Sequence, residues 1–152
     1  MAISTSIEVN RPPGEVFAYV TDPRQFSEWQ EGVIDGHAGT DAPLSVGDQC
    51  VTVRRVGFAK RAVTSRLTHI DPPHTWSLQG VDGPIRAALN VIVEPLDNDQ
   101  RSLVTIEIDF VGHGVGRLIV PVAVRPQARK EMPENLRRLK QRLEARADEQ
   151  CQ

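Results

Sequence analysis

Aromatic residues make up only 5% of this 152-residue chain, as four Phe, two Trp and one Tyr. Large planar side chains fill a core with the fewest residues, so their scarcity leaves that task to mid-sized ones. Cysteine is nearly absent. Cys50 falls in a strand-like stretch and Cys151 in the polar end of the chain. With no C-x-x-C pair, neither a redox motif nor a zinc knuckle is indicated, and two free thiols are expected. No apolar run approaches the roughly 18 residues of a membrane span; the longest covers Leu118 to Val124. The first residues lack a basic stretch leading into an apolar one, so no signal peptide is expected and the expected compartment is the cytoplasm. Nor does one sign of charge dominate. Eighteen basic and twenty acidic side chains leave a net charge of −2, which argues against nucleic acid as a partner. Histidines 37, 69, 74 and 113 lack metal-ligand spacing, so no metal and no other cofactor are expected. Repeats and low-complexity linkers are missing as well. Residues 1–148 therefore read as one domain and 149–152 as a disordered tail. A chain of this length buries about 68–70% of its unfolded surface and holds a core without staples.

What is present is a change of period along the chain. Ile3, Thr5, Ile7 and Val9 alternate with polar residues, as a half-buried strand does. Pro13 then suits a helix start, and Asp22 suits the cap of a second short helix over Pro23 to Trp29. From about Val33 to Gly112 six further strands follow, separated by turns such as Asp71-Pro72-Pro73-His74, Val81-Asp82-Gly83-Pro84 and Asp97-Asn98-Asp99. Short turns between successive strands imply an antiparallel meander. From about Gly116 the period becomes helical, with Met132, Leu136, Leu139 and Leu143 on one stripe. Pro121, Pro126 and Pro133 are expected to kink or segment this helix, leaving a run of roughly 22 Å from Pro133 to Ala147. One helix is about 10–12 Å wide and cannot cover a seven-stranded sheet, so the sheet must curve around it. Space left between them becomes a cavity unless large side chains fill it.

The order of elements resembles the helix-grip fold of the START-like, SRPBCC superfamily, and particular residues are similar to its bacterial polyketide cyclase/dehydrase branch. These are Ile7-Glu8-Val9 leading to Pro12-Pro13-Gly14-Glu15-Val16-Phe17, then Val20-Thr21-Asp22-Pro23, Trp29, Val46-Gly47-Asp48 and Gly112-His113-Gly114. The tail adds Arg129-Lys130-Glu131-Met132-Pro133-Glu134-Asn135-Leu136 and Leu139 to Glu144. The resemblance implies an α+β fold: a curved seven-stranded antiparallel sheet around a long C-terminal helix, with two short helices after the first strand. It also implies an internal cavity for a small hydrophobic or aromatic molecule, in a monomer or homodimer. A cyclase or aromatase acting on a poly-β-ketone is the alternative.

The expected cavity wall follows from alternation. Val53, Val63, Leu67, Leu78, Leu89, Val91, Ile106 and Ile108 are assigned to the inner face, with Met132 and Leu136 facing them from the helix. Trp29 and Trp76 either stack on a planar ligand or pack the core. Three polar residues fall in phase with apolar neighbours: Arg55, Ser65 and His69. They are the candidates for holding a polar ligand group or for moving a proton. Arg55 could equally reach water from a strand end, and His69 could lie beside the Pro72-Pro73 loop. Glu107 and Asp109 read as a solvated outer face. Gly112-His113-Gly114-Val115-Gly116 fails as a dinucleotide fingerprint, because Arg117 stands at the third glycine; it reads as a flexible turn into the last helix. The basic face of Arg137, Arg138, Lys140 and Arg142 is either solvated or a surface for an acidic partner.

Overall fold

The computed structural model describes residues 3–39, 44–56 and 58–150. After β1 (Ile3–Val9) come α1 (Pro13–Val20), a 3-10 turn (Pro23–Gln25) and α2 (Phe26–Trp29). Six strands follow: β2 (Val33–Ala38), β3 (Gln49–Val56), β4 (Ala59–Asp71), β5 (Thr75–Gly80), β6 (Ile85–Leu96) and β7 (Arg101–Gly112). The chain ends in α3 (Gly116–Ile119), a π turn (Val120–Val124) and α4 (Arg125–Gln150). Asp22 caps the 3-10 turn, its Oδ1 accepting from the Arg24 N–H at 3.1 Å. Asp97, Asn98 and Asp99 all take positive φ in the β6–β7 turn, a backbone region that Asn and Asp tolerate better than most residues.

All seven strands form one antiparallel sheet in the order β1-β7-β6-β5-β4-β3-β2. The last strand returns to pair with the first, and one curved sheet holds the long helix in its concavity. This is the helix-grip architecture. Inner-face residues Val9, Val104, Val93, Val91, Ile106 and Trp76 are buried. The α4 stripe of Met132, Leu136, Leu139 and Leu143 is buried against them.

The helix is longer than its prolines imply. It runs unbroken through Pro133 for 26 residues, roughly 39 Å at 1.5 Å per residue. An interior proline removes one backbone hydrogen bond and costs about 3 kcal/mol. Met132 before it and Leu136, Leu139 and Leu143 after it are all buried, and at about 1.5–3 kcal/mol each they outweigh that. Pro121 sits in the π turn, where the backbone is already widened. Residues 151–152, including Cys151, lie outside the described residues.

Three basic residues in the second half of α4 tether it to other elements. Arg138 donates to the Trp29 carbonyl at 3.3 Å, Lys140 to the Glu8 carbonyl at 3.0 Å, and the Arg146 guanidinium lies 4.4 Å from the Tyr19 ring centre. Arg137 pairs with Glu134 on α4 itself. The start of α4 is tied down differently. Among the described residues β1 pairs with β7 as far as Ile3 opposite Ile108, and Asp109 follows next on β7. There Arg125 donates to Asp109 at 2.7 Å. Partial burial works to raise the Asp109 carboxyl, but hydrogen bonds from the Phe110 N–H and from Arg125 outweigh it and hold it below the usual carboxylate range. Asp109 is thus half-buried and paired, where a purely solvated face was expected.

The glycines of the β7–α3 turn serve close packing. A Cβ on Gly112 would lie 2.3 Å from the Gly116 carbonyl oxygen, and one on Gly116 only 2.0 Å from that of Pro84.

Leu139→Ala is expected to destabilise the fold by about 2–5 kcal/mol, as a cavity-forming core substitution does. Leu118→Ala, at a side chain 77% exposed, should change stability by less than about 0.5 kcal/mol. Urea denaturation midpoints of the two variants check both.

Candidate functional site

The site is built from the half of the inner face that α4 does not cover. The helix lies chiefly against β1, α1 and α2. Further along the sheet, inward-facing Val63, Ser65, Ala87, Leu89, Ile108 and Phe110 remain only half-buried. Val63, Leu89 and Ile108 therefore stand where alternation put them. Leu67, Leu78, Val91, Ile106, Met132 and Leu136 also face inward, but they are fully buried in the core beneath this surface. Trp76 is buried at its centre. Trp29 is buried as well, edge-on to Phe26 at 5.7 Å, and Phe26 is edge-on to Trp76 at 6.2 Å. Both tryptophans are thus core packing, and the Trp29 indole N–H has no hydrogen-bond partner among the described residues.

Strand β3 runs one residue out of the expected phase. Cys50 pairs with Ser65, Thr52 with Val63 and Arg54 with Arg61. Directly paired residues share a face, and Ser65 shares that of buried Leu67. Cys50, Thr52 and Arg54 therefore point inward, and Cys50 and Thr52 are buried. Val53 pairs with Ala62 and lies on the outer face, as does exposed Arg55. The assignment of Val53 and Arg55 to the inner wall is corrected accordingly. β-Branched valines suit a strand on either face, so Val51 and Val53 carried no information about which side was buried.

His69 is misplaced by a different cause. The pairing of β4 with β5 shifts between Leu67 and His69, where a β-bulge leaves Thr68 without a partner. One extra residue reverses the side of everything after it. His69 consequently faces out, exposed, with Nε2 2.7 Å from the Thr75 hydroxyl, and Ile70 takes the inward position opposite Trp76. Of the three polar candidates, Ser65 alone remains on the inner face.

Arg54 is the polar residue that alternation missed. Its Nη2 donates to Gln30 Oε1 at 3.2 Å, and no carboxylate among the described residues lies within ion-pair distance of it. Burial lowers its pKa, and the negative field of Glu131 on α4 partly offsets this; a guanidinium stays charged even so. A cation with one neutral partner has donors to spare. The same end of the molecule carries a solvent-open depression of about 450 Å³, rimmed by Glu31, Val33, Ile34, Arg55 and Glu131. The loop after α2 and the start of β2 form most of its wall, and the Glu31 N–H donates to Asn135 Oδ1 at 2.9 Å, joining this loop to α4. Burial pushes the Cys50 thiol up to about 11, against the opposing field of Arg54. The inner face thus offers an apolar surface with one strong cationic donor, Arg54, and the half-buried Ser65 at one end, above the buried Cys50 and Thr52. That arrangement can hold an apolar body by its anionic or carbonyl end. Among the described residues no helix is long and apolar enough to cross a membrane.

Comparison with known proteins accords with this architecture. Residues 1–144 match the family model described as polyketide cyclase/dehydrase and lipid transport. An uncharacterised protein of Mycobacterium tuberculosis is 35% identical over 71 residues, which are 46% of this chain and 32% of that one. The matched stretch thus spans about a third of that curated relative. Among solved structures, the Zhui aromatase/cyclase from Streptomyces sp. R1128 superposes with a TM-score of 0.72 at 13% identity, over 100% of this chain and 96% of that one. A START superfamily protein from Mycobacterium smegmatis gives 0.70 at 16% identity, over 97% of each chain. At these identities the likeness is one of fold.

The raised thiol generates a measurement. In a Cys151→Ser background, Cys50 should react with a disulfide reagent at pH 8 about 100-fold more slowly than a free thiol, since a pKa two units higher cuts the thiolate fraction by that factor. The sign also fixes a stability trend. The folded state holds this proton more tightly than the unfolded one, so folding loses stability as pH climbs from 9 toward 11. Stopped-flow thiol titration with and without urea checks the first point.

Proposed function

Because this chain belongs to the polyketide cyclase/dehydrase and lipid transport family, we propose that it binds a small hydrophobic or aromatic molecule between the sheet and α4, with Arg54 holding the molecule's polar end. The observation that carries this reading is the half-buried apolar stretch of Val63, Leu89, Ile108 and Phe110, left by a helix that packs against β1 instead. Apolar surface inside a concave sheet gains by losing its water, at about 25 cal/mol per Å² covered. An apolar guest does that without any rearrangement of the core. Specificity comes from the few polar groups at the β3 end, where a charge-assisted bond from Arg54 favours a carboxylate or enolate oxygen. Four aromatic and aliphatic surfaces and one cation define an amphiphilic acid more readily than a neutral hydrocarbon.

Cyclisation of a poly-β-ketone is the second reading. What supports it is Arg54 rather than Arg55: a guanidinium on the inner face can stabilise the enolate on which ring closure depends, while the sheet folds the chain. Ser65 remains available to hydrogen-bond a carbonyl.

Isothermal titration of the full chain with a medium-chain fatty acid and with a hydroxynaphthoic acid tests binding directly, each beside its neutral alcohol. Saturable one-to-one binding is expected for the acids. Arg54→Ala should weaken them by about tenfold or more, the worth of a hydrogen bond to a charged group, while changing the alcohols little. Arg55→Ala should change neither. Absence of saturable binding, or equal losses for acid and alcohol, would overturn the assignment.

A further inference from the structure

One stretch of surface takes no part in any of this. Between Asp109 and Glu131 the chain carries no acidic residue, yet it holds Arg117, Arg125, Arg129 and Lys130. The same stretch contains four of the eight exposed large apolar side chains among the described residues. Leu118 is 77% exposed, Val122 76%, Val115 67%, and Ile119 is exposed beside them. A single exposed leucine is ordinary, but four apolar side chains within eight residues form a patch that needs an explanation. Folding does not supply one, since none of the four belongs to the core.

The base of this segment is firmly held while its crest is bare. Gly112 and Gly116 let the turn press against the Gly116 and Pro84 carbonyls. The His113 N–H donates to the Pro84 oxygen at 2.8 Å, Val120 is buried, and Arg125 ties the start of α4 to Asp109. From this base α3 and the π turn rise as a short helical ridge, with Leu118 and Val122 four residues apart on it. Arg117 on the ridge and Arg129 and Lys130 just beyond it are all exposed.

We propose that the ridge from Val115 to Val124 is a docking lip for an anionic lipid bilayer surface. The shape and the charge point the same way. A convex apolar ridge needs a matching groove to seat on a protein, but a bilayer interface accepts it without one. Apolar side chains enter the headgroup–acyl boundary while flanking cations remain among the phosphates. A second copy of this chain fits worse, because a two-fold contact would set the exposed cations Arg117, Arg129 and Lys130 against their own copies. The absence of Trp and Phe from the ridge limits its depth and makes the docking reversible and dependent on charge. The lip also adjoins the β6–β7 end of the inner face, where Gly112 pairs with Ile85. In the one respect that docking brings this end of the ligand space to the lipid, the inference rests on the function proposed above. The docking itself does not.

Flotation of the full chain with vesicles tests it, comparing pure phosphatidylcholine with mixtures containing about one-third phosphatidylglycerol. Binding is expected to the anionic vesicles only, and to be lost as salt rises toward about 1 M. The double variant Leu118→Asp/Val122→Asp should lose at least about tenfold in partitioning, since two apolar side chains no longer enter the interface. Arg117→Glu and Lys130→Glu should each lose about fivefold or more. Circular dichroism of all variants should match the parent, because every substituted side chain is exposed. Equal flotation with both vesicle types, or undiminished flotation of the double variant, would overturn the proposal. So would the absence of flotation together with a dimer, seen in sedimentation velocity, that the double variant abolishes. Ligand titration in vesicle-free buffer separates the two readings: the double variant should bind the acid as the parent does, and a parent that floats without binding any acid sinks the ligand assignment alone.

Discussion

One helix has to serve a sheet several times its width. Seven strands spaced about 4.8 Å apart span roughly 29 Å, and a helix with its side chains is about 10–12 Å across. The sheet answers by curving, and the helix answers by choosing a side. It settles near β1, with α1 and α2 beside it and Leu136, Leu139 and Leu143 buried. That choice leaves apolar inner-face residues further along the sheet half-buried. Closing that space takes large aromatics, and of the seven in the chain Phe26, Trp29 and Trp76 are committed to one cluster, Phe17 and Tyr19 are buried in the core and Phe58 is exposed, which leaves Phe110 as the one aromatic at the space.

The charged residues follow from the same asymmetry. A helix packed to one side needs to be held there, and α4 is tied along its length. Arg125 reaches Asp109 on β7, Arg138 and Lys140 reach backbone carbonyls, and Arg146 lies over Tyr19. Individually such contacts at a surface contribute little, typically 0–1 kcal/mol. Their value lies in fixing the position of the stripe. Arg54 stands apart from this set. It lies on the inner face of β3 with a neutral amide for a partner, which is why it, and not the tethered arginines, carries the proposed ligand contact. The ridge at Leu118 and Val122 is the complementary case: apolar groups outside, as Arg54 is a charge inside. Positions that break the ordinary distribution of polarity without serving the fold are where function is to be sought.

The sequence determined much of the architecture. Alternation at Ile3–Val9 and Val104–Phe110, the caps and prolines around α1 and α2, the turn residues between strands, and the spacing of Met132, Leu136, Leu139 and Leu143 all encode local periods. Local periods are what a single chain displays, so the strand–helix–meander–helix order was legible, and the family resemblance followed from it. Tertiary structure decided the rest. Which face of β3 points inward depends on its pairing with β4, and Val51-Thr52-Val53-Arg54-Arg55 is consistent with either side. Whether His69 follows Leu67 inward depends on one unpaired residue, Thr68. Whether Pro133 ends a helix depends on how much apolar surface that helix buries. Each of these is settled between segments far apart in sequence, by pairing and burial whose free energies exceed the local preference. For that reason Val53, Arg55 and His69 left the inner face, and Arg54, with the buried Cys50 and Thr52, took their places on it.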